Sequence, residues 1–128
     1  HAREQSGRII AVGSTSVRTL ESLPTLQPAS GSTDIFIYPP HTLQHTDAIL
    51  TNFHLPQSTL LMMMAAFTDR KTLLNAYHEA ISHRYRFFSY GDCMLILYNR
   101  DLNPHPSSTK FSPCLQKENA HGQINNAI

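Results

Sequence analysis

The sequence has no tryptophan and only two cysteines, Cys93 and Cys114, among its 128 residues. Two cysteines cannot form a disulfide framework or a four-ligand zinc site. The eight histidines show no metal-ligand spacing with supporting carboxylates, so we predict no metal site. An excess of one charge is also missing, because the net charge is +1. The chain therefore lacks the strong positive charge that is typical of nucleic-acid-binding proteins.

Long apolar runs are absent as well. The run from Leu60 to Phe67 is far too short to cross a bilayer, and the first residues, His1 to Gln5, are not followed by the hydrophobic region of a signal peptide. We therefore expect no membrane segment and a cytoplasmic location, where thiols stay reduced. The chain does not open with Met, which indicates a fragment or a processed product.

What is present is enough apolar material for one domain. Hydrophobic residues make up 41% of the chain and charged residues 15%, a balance typical of a globular protein. We place the domain at residues 1–98. Residues 99–128 are polar, rich in proline at first and without sustained periodicity, and we predict a disordered tail there.

The stretch at 47–69 contains the most informative pattern of the chain. It reads as a buried strand at 48–50, a turn that carries Asn52 and His54, and an apolar helix for which Ser58 is the predicted N-cap. A strand that leads through a polar turn into a helix N-terminus is where open α/β sheets bind ligands. The pattern therefore predicts a binding site at this turn.

A second strand and turn precede it. Residues 8–13 form an apolar run between glycines, which predicts a strand buried on both faces, and a short helix follows at 14–22. The turn Gly13–Ser16 would present backbone N–H groups to a carboxylate or phosphate, with Arg18 as a bidentate partner. In the alternative interpretation Ser14 or Thr15 merely caps the helix and Arg18 is solvated.

Three further elements complete the predicted fold. They are a short strand at 35–38 that ends at two prolines, an amphipathic helix at 70–84 and a buried strand at 93–98 whose first residue, Cys93, is expected to be a buried free thiol. Strands alternating with helices predict an α/β protein with a mostly parallel sheet in a three-layer α/β/α arrangement.

An aromatic segment, residues 85–92, closes on a Gly-Asp turn before the last strand. Aromatic faces can stack a base or hold a cationic sulfonium, and Tyr90 is a candidate for that contact. The more ordinary interpretation places Phe87 and Phe88 in the core. Asp92 leads directly into the strand and is a candidate functional carboxylate.

Three motifs together resemble a known family. GSTSVRTLE (Gly13 to Glu21), LTNFHLPQSTLLM (Leu50 to Met62) and YRFFSYGDCMLI (Tyr85 to Ile96) closely resemble the C-terminal part of S-adenosylmethionine:tRNA ribosyltransferase-isomerase, the QueA family of queuosine biosynthesis. The resemblance extends over residues 6–98. Complete family members carry a larger N-terminal part with an inserted β-barrel domain.

The resemblance implies a reaction. Family enzymes transfer and isomerise the ribosyl part of S-adenosylmethionine onto the aminomethyl group of a 7-deazaguanine at the tRNA wobble position. The product is epoxyqueuosine, and adenine and methionine are released. It implies no cofactor, since S-adenosylmethionine is a substrate. The expected partners are the tRNA anticodon loop, S-adenosylmethionine and the missing N-terminal portion of the same enzyme.

The resemblance also marks positions in this sequence. We assign catalysis to His54, as the first candidate for the base that takes a proton beside the sulfonium, and to Asp92 as the second. Substrate binding is assigned to seven residues, Gly13, Thr15, Ser16, Arg18, Asn52, Ser58 and Tyr90. Two other classes of function stay open, namely a small-molecule-binding α/β module without catalysis and an inactive truncated remnant.

Overall fold

A computed structural model describes residues 1–98 of the chain, and the predicted tail at 99–128 lies outside the described residues. The described part contains three strands and three helices. They are β1 (Ile10–Val12), α1 (Ser14–Glu21), β2 (Ala48–Asn52), α2 (Thr59–Phe67), α3 (Arg70–Ser82) and β3 (Cys93–Leu97). The predicted α/β class is therefore confirmed.

The three strands form one mixed sheet in the order β1-β2-β3. β1 pairs with β2 in parallel, with Ala11 opposite Ile49, whereas β3 pairs with β2 in antiparallel, with Ile96 opposite the same residue. The expected mostly parallel sheet is therefore not seen among the described residues. The direction of a strand within a sheet depends on the path of the connection that leads to it. An apolar run has the same residue pattern in a parallel and in an antiparallel strand, so the sequence does not distinguish the two.

The predicted strand at 35–38 is wrong, because this segment is not part of the sheet. Its side chains do alternate as in a strand: Ile37 is buried, whereas Phe36 and Tyr38 are exposed. Ile37 is therefore the side chain of this segment that enters the core. A strand also needs a neighbour to form its hydrogen-bond ladder, and the local sequence does not specify that neighbour.

The helices begin where local signals place them. The Ser58 hydroxyl accepts a hydrogen bond from the Leu61 N–H at 3.2 Å, so the predicted N-cap of α2 is confirmed. Asp69 caps α3 in the same way through the Thr72 N–H at 2.9 Å. α3 ends at Ser82, two residues before the predicted end. None of the three helices of residues 1–98 has the length and apolar content of a membrane span.

One face of the sheet is well covered and the other is not. Core residues from α1, α2, β2 and the 35–38 segment are fully buried, among them Val17, Ile37, Ile49, Met64 and Phe67. The opposite face exposes Ile10, Val12, Leu95 and Leu97, each by more than half. β1 is therefore buried on one face only, and the expectation of burial on both is wrong for this chain.

Two single-residue expectations are corrected by the structure. Cys93 is exposed rather than buried, because it shares the uncovered sheet face at the start of β3. Phe88 is half exposed, whereas Phe87 packs against the core as predicted. An apolar sequence run identifies a strand, but its second face is buried only when another element covers it.

Glu21, at the end of α1, is a buried acidic residue. Its carboxylate accepts hydrogen bonds from the backbone N–H groups of Gln44, His45 and Thr46, at 2.7, 3.1 and 2.8 Å. These residues lead directly into β2. Charged acceptors form the stronger class of hydrogen bonds, so Glu21 fixes the entry of β2 relative to α1.

Candidate functional site

The site lies where β1 and β2 end. Because these two neighbouring strands are parallel, their carboxyl ends meet at one edge of the sheet. The Gly13 N–H donates to the Leu50 carbonyl at 2.9 Å, which holds the turn after β1 against β2. The turns that follow both strands, and the N-termini of α1 and α2, therefore border the same edge.

His54 lies in the turn after β2 and is held at two points. Its backbone N–H donates to the Tyr77 hydroxyl at 2.9 Å, and its ring Nε2 lies 3.0 Å from the Thr51 hydroxyl. The side chain is half-buried, and this burial lowers the pKa of His54 below 6.5. A neutral imidazole at pH 7 can accept a proton, which suits a general base.

A cluster of aromatic rings packs around Phe53 in this turn. The Phe53 ring packs against three aromatic rings at centroid distances of 5.1 to 5.8 Å, those of Tyr77, Tyr85 and Phe87. The Phe53 carbonyl also accepts the Phe88 N–H at 3.1 Å. Phe53 therefore joins the turn after β2 to the aromatic segment at 85–92.

Asn52 and Asp92 meet across the antiparallel pair. The Asn52 amide donates to the Gly91 carbonyl at 3.2 Å and approaches the Asp92 carbonyl at 3.4 Å. The Asp92 carboxylate accepts the Arg86 N–H at 2.7 Å and so closes the turn before β3. Both predicted residues lie at the same edge as His54, but each has a structural hydrogen bond as well.

The turn before β3 needs a glycine at position 91. A Cβ there would lie 2.5 Å from the Arg86 carbonyl oxygen and 2.7 Å from that of Phe87. Tyr90 beside it has φ 65° and a side chain that is 99% exposed. The structure therefore places the Tyr90 side chain in solvent.

The start of α1 has no side-chain cap. The Ser16 hydroxyl donates to the Val12 carbonyl at 2.8 Å, and the Thr19 hydroxyl donates to the Thr15 carbonyl at 3.0 Å. The alternative interpretation is therefore wrong about the cap, whereas Arg18 is exposed as that alternative expected. Gly13 has φ +85°, a backbone conformation that favours glycine.

A pocket of about 220 Å³ lies between α1 and α2. Arg18 of α1 lines one side, Thr59, Leu60 and Met63 of α2 line another, and residues 34–37 form the third. Arg18 is thus a predicted binding residue that lines a cavity. Ser58 immediately precedes Thr59 in the chain, but its hydroxyl accepts the Leu61 N–H as the N-cap of α2.

Sequence reasoning missed three residues that the fold brings to the turn after β2 or to the pocket. Tyr77 lies within the predicted helix at 70–84, and the sequence did not indicate that its hydroxyl accepts the His54 backbone N–H. Thr51 lies three residues before His54, a spacing that an explicit search for hydroxyl–imidazole pairs would have found. Asp34 gave no local signal at all. Within residues 1–98, no group of three His, Cys, Asp or Glu side chains is arranged to hold a metal ion.

Comparison with known proteins gives consistent matches. The family described as "Queuosine biosynthesis protein" matches residues 1–96. S-adenosylmethionine:tRNA ribosyltransferase-isomerase of Thermotoga petrophila is 56% identical over 98 residues, which cover 74% of this chain and 29% of that protein. The enzyme of the same name from Xylella fastidiosa is also 56% identical, over 74% of this chain and 28% of its own length.

A solved structure agrees with these matches. The crystal structure of S-adenosylmethionine tRNA ribosyltransferase from Thermotoga maritima superimposes with a TM-score of 0.68 at 56% identity, over 74% of this chain and 35% of that one. This chain therefore spans less than a third of the length of the curated relatives it matches. Since the family match extends over well more than half of the chain, the chain belongs to the queuosine biosynthesis protein family.

Proposed function

We propose that this chain contributes part of the active site of an S-adenosylmethionine:tRNA ribosyltransferase-isomerase. The reaction would transfer and isomerise the ribosyl part of S-adenosylmethionine onto 7-aminomethyl-7-deazaguanine at the tRNA wobble position, giving epoxyqueuosine-tRNA, adenine and methionine. The observation that carries this proposal is the 56% identity to enzymes of that name over the segment that holds the candidate site. Cytoplasmic location and the absence of a cofactor are parts of the same proposal.

His54 is proposed as the base. The carbon beside a sulfonium is acidified by the positive sulfur, and a neutral imidazole can remove its proton at neutral pH. Two features support this role: burial keeps the pKa of His54 low, and the Tyr77 and Thr51 contacts fix the position of the residue. Asp92, which is not the base in this scheme, would form a hydrogen bond with the departing adenine.

Substrate contacts are proposed for the surrounding groups. The Gly13–Ser16 turn and Arg18 would bind the methionine carboxylate, because the uncapped start of α1 offers N–H groups and Arg18 offers a bidentate donor. The Asn52 amide, at the end of β2, would contact a base edge or a ribose hydroxyl. Tyr90, exposed at the turn before β3, is available to stack on a base of the tRNA.

The test is a transfer assay. The chain is incubated with S-adenosylmethionine and tRNA carrying the aminomethyl-deazaguanine, alone and together with the N-terminal portion of a relative. Released adenine and modified tRNA are then measured. We expect transfer when the N-terminal portion is supplied. Transfer under neither condition would contradict the proposal and favour an inactive remnant.

A matched pair of variants tests the base. His54→Asn in the active assembly should lower kcat by about 10²- to 10⁴-fold, the usual contribution of a general base, with little change in KM. His78→Asn is the control, since His78 is exposed on α3. An unchanged kcat for His54→Asn would remove His54 as the base.

A further inference from the structure

The pocket between α1 and α2 combines two opposite charges with an apolar wall. Arg18 and Asp34 come from different elements and both line it. Neither side chain forms an ion pair with the other or with any residue in 1–98. Both charges are therefore available to a ligand that carries one positive and one negative group.

The size of the pocket limits that ligand. Its volume of about 220 Å³ is below the roughly 300–1,000 Å³ that is usual for drug-sized molecules. The pocket therefore suits a ligand the size of an amino acid and is too small to enclose a nucleoside with its attached side chain.

The remaining wall is suited to an unbranched apolar stem. Ile35 and Leu60 are partly buried at the pocket, and Met63 is buried beneath it. A polarisable sulfur packs well against such residues, as methionine does in protein cores. Phosphate suits the site poorly, because its second negative charge would face Asp34 and no group on it would use the apolar wall.

We propose that this pocket binds the zwitterionic amino-acid end of a methionine-containing ligand. Arg18 binds the carboxylate, Asp34 binds the ammonium group, and the methylene stem lies along Ile35, Leu60 and Met63. Asp34 is thereby a specificity-determining residue that selects a ligand with a free amino group. This inference rests on the proposed function, which supplies S-adenosylmethionine as substrate and methionine as product.

Calorimetric titration of the chain with three ligands tests it. They are L-methionine, its desamino analogue, in which hydrogen replaces the ammonium group, and its decarboxylated analogue. Asp34→Asn should weaken methionine binding about tenfold and leave the desamino analogue unchanged, because the lost contact is a charge-assisted hydrogen bond. Arg18→Gln should weaken methionine about tenfold and leave the decarboxylated analogue unchanged.

Controls separate binding from folding. Glu4→Gln and Arg70→Gln make the same charge changes at exposed positions away from the pocket and should bind methionine like the unaltered chain. Arg18 and Asp34 are themselves exposed, so their variants should keep the unaltered melting temperature. The inference is overturned if the chain binds no methionine, if Asp34→Asn weakens both ligands equally, or if inorganic phosphate binds more tightly than methionine.

The outcome is distinguishable from that of the transfer assay. If methionine binds with this charge dependence but transfer fails, the pocket assignment is supported and the proposed reaction is contradicted. If transfer is active and the KM for S-adenosylmethionine is unchanged in Asp34→Asn, the proposed reaction is supported and the pocket assignment is overturned.

Discussion

Replacing Tyr77 with phenylalanine tests the architecture that holds His54. The substitution keeps the ring, and with it the packing against Phe53 at 5.3 Å and Phe87 at 5.8 Å. It removes only the hydroxyl, which accepts the His54 N–H at 2.9 Å. Burial raises the pKa of Tyr77 above 10.0, so the hydroxyl is protonated at neutral pH and no charge is lost.

The expected cost follows from that one hydrogen bond. A buried donor left without its acceptor costs about 1–3 kcal/mol, and the partial burial of His54 places the value near the lower end. A loss of about 1 kcal/mol lowers the melting temperature of a domain of this size by about 4–8 °C. The His54 amide should also exchange with deuterium several-fold faster.

Tyr85→Phe is the matched control. Tyr85 packs edge-on against the same Phe53 ring at 5.8 Å, but it is half exposed and its hydroxyl has no hydrogen bond within residues 1–98. Its loss should cost less than about 0.5 kcal/mol in urea unfolding. Equal losses for the two variants, or an unchanged exchange rate at His54 in Tyr77→Phe, would refute the role given to the Tyr77 hydroxyl.

Two further predictions concern the same edge of the sheet. Gly91→Ala should lower the free energy of unfolding by about 1–3 kcal/mol, because its Cβ would lie 2.5 Å from a backbone oxygen and the turn must shift; Gly31→Ala, with nothing within 4 Å, is the control, and equal denaturation midpoints would contradict the reasoning. His54 should titrate by NMR with a midpoint below 6.5, since burial disfavours its charged form. Its contribution to stability is then complete above pH 6.5 and is lost as the pH falls from 6.5 through the folded-state pKa; a midpoint at or above 6.5 would show that the ring is not desolvated.

Local signals were sufficient to predict where α2 begins. Ser58 caps α2 because a hydroxyl before an apolar run meets the orphan N–H groups of a helix start, and this geometry needs only neighbouring residues. The strand predicted at 35–38 is wrong because a strand needs more than its own residues. Its backbone hydrogen bonds require a second strand from elsewhere in the chain, whereas alternating burial of side chains can occur in any segment that packs on a core.

The site was predictable where it follows a strand end. Asn52 and His54 could be placed at the edge where β1 and β2 end, because that edge is defined by the order of strand, turn and helix. Tyr77 and Asp34 could not be placed. Tyr77 contacts His54, and Asp34 lines the pocket with Arg18, only because the fold brings together segments distant in sequence. The exposure of Cys93 depends likewise on what covers the outer face of the sheet.

The carboxylate of Glu21 links α1 to β2. Because it accepts hydrogen bonds from three N–H groups of the segment that leads into β2, α1 cannot tilt without moving the strand that ends at Asn52. Arg18 lies one turn earlier on that helix, so its backbone is already fixed relative to the strand end before any ligand arrives. Binding of the proposed ligand would then have to order side chains but not a helix, and the entropy lost on association would be correspondingly smaller.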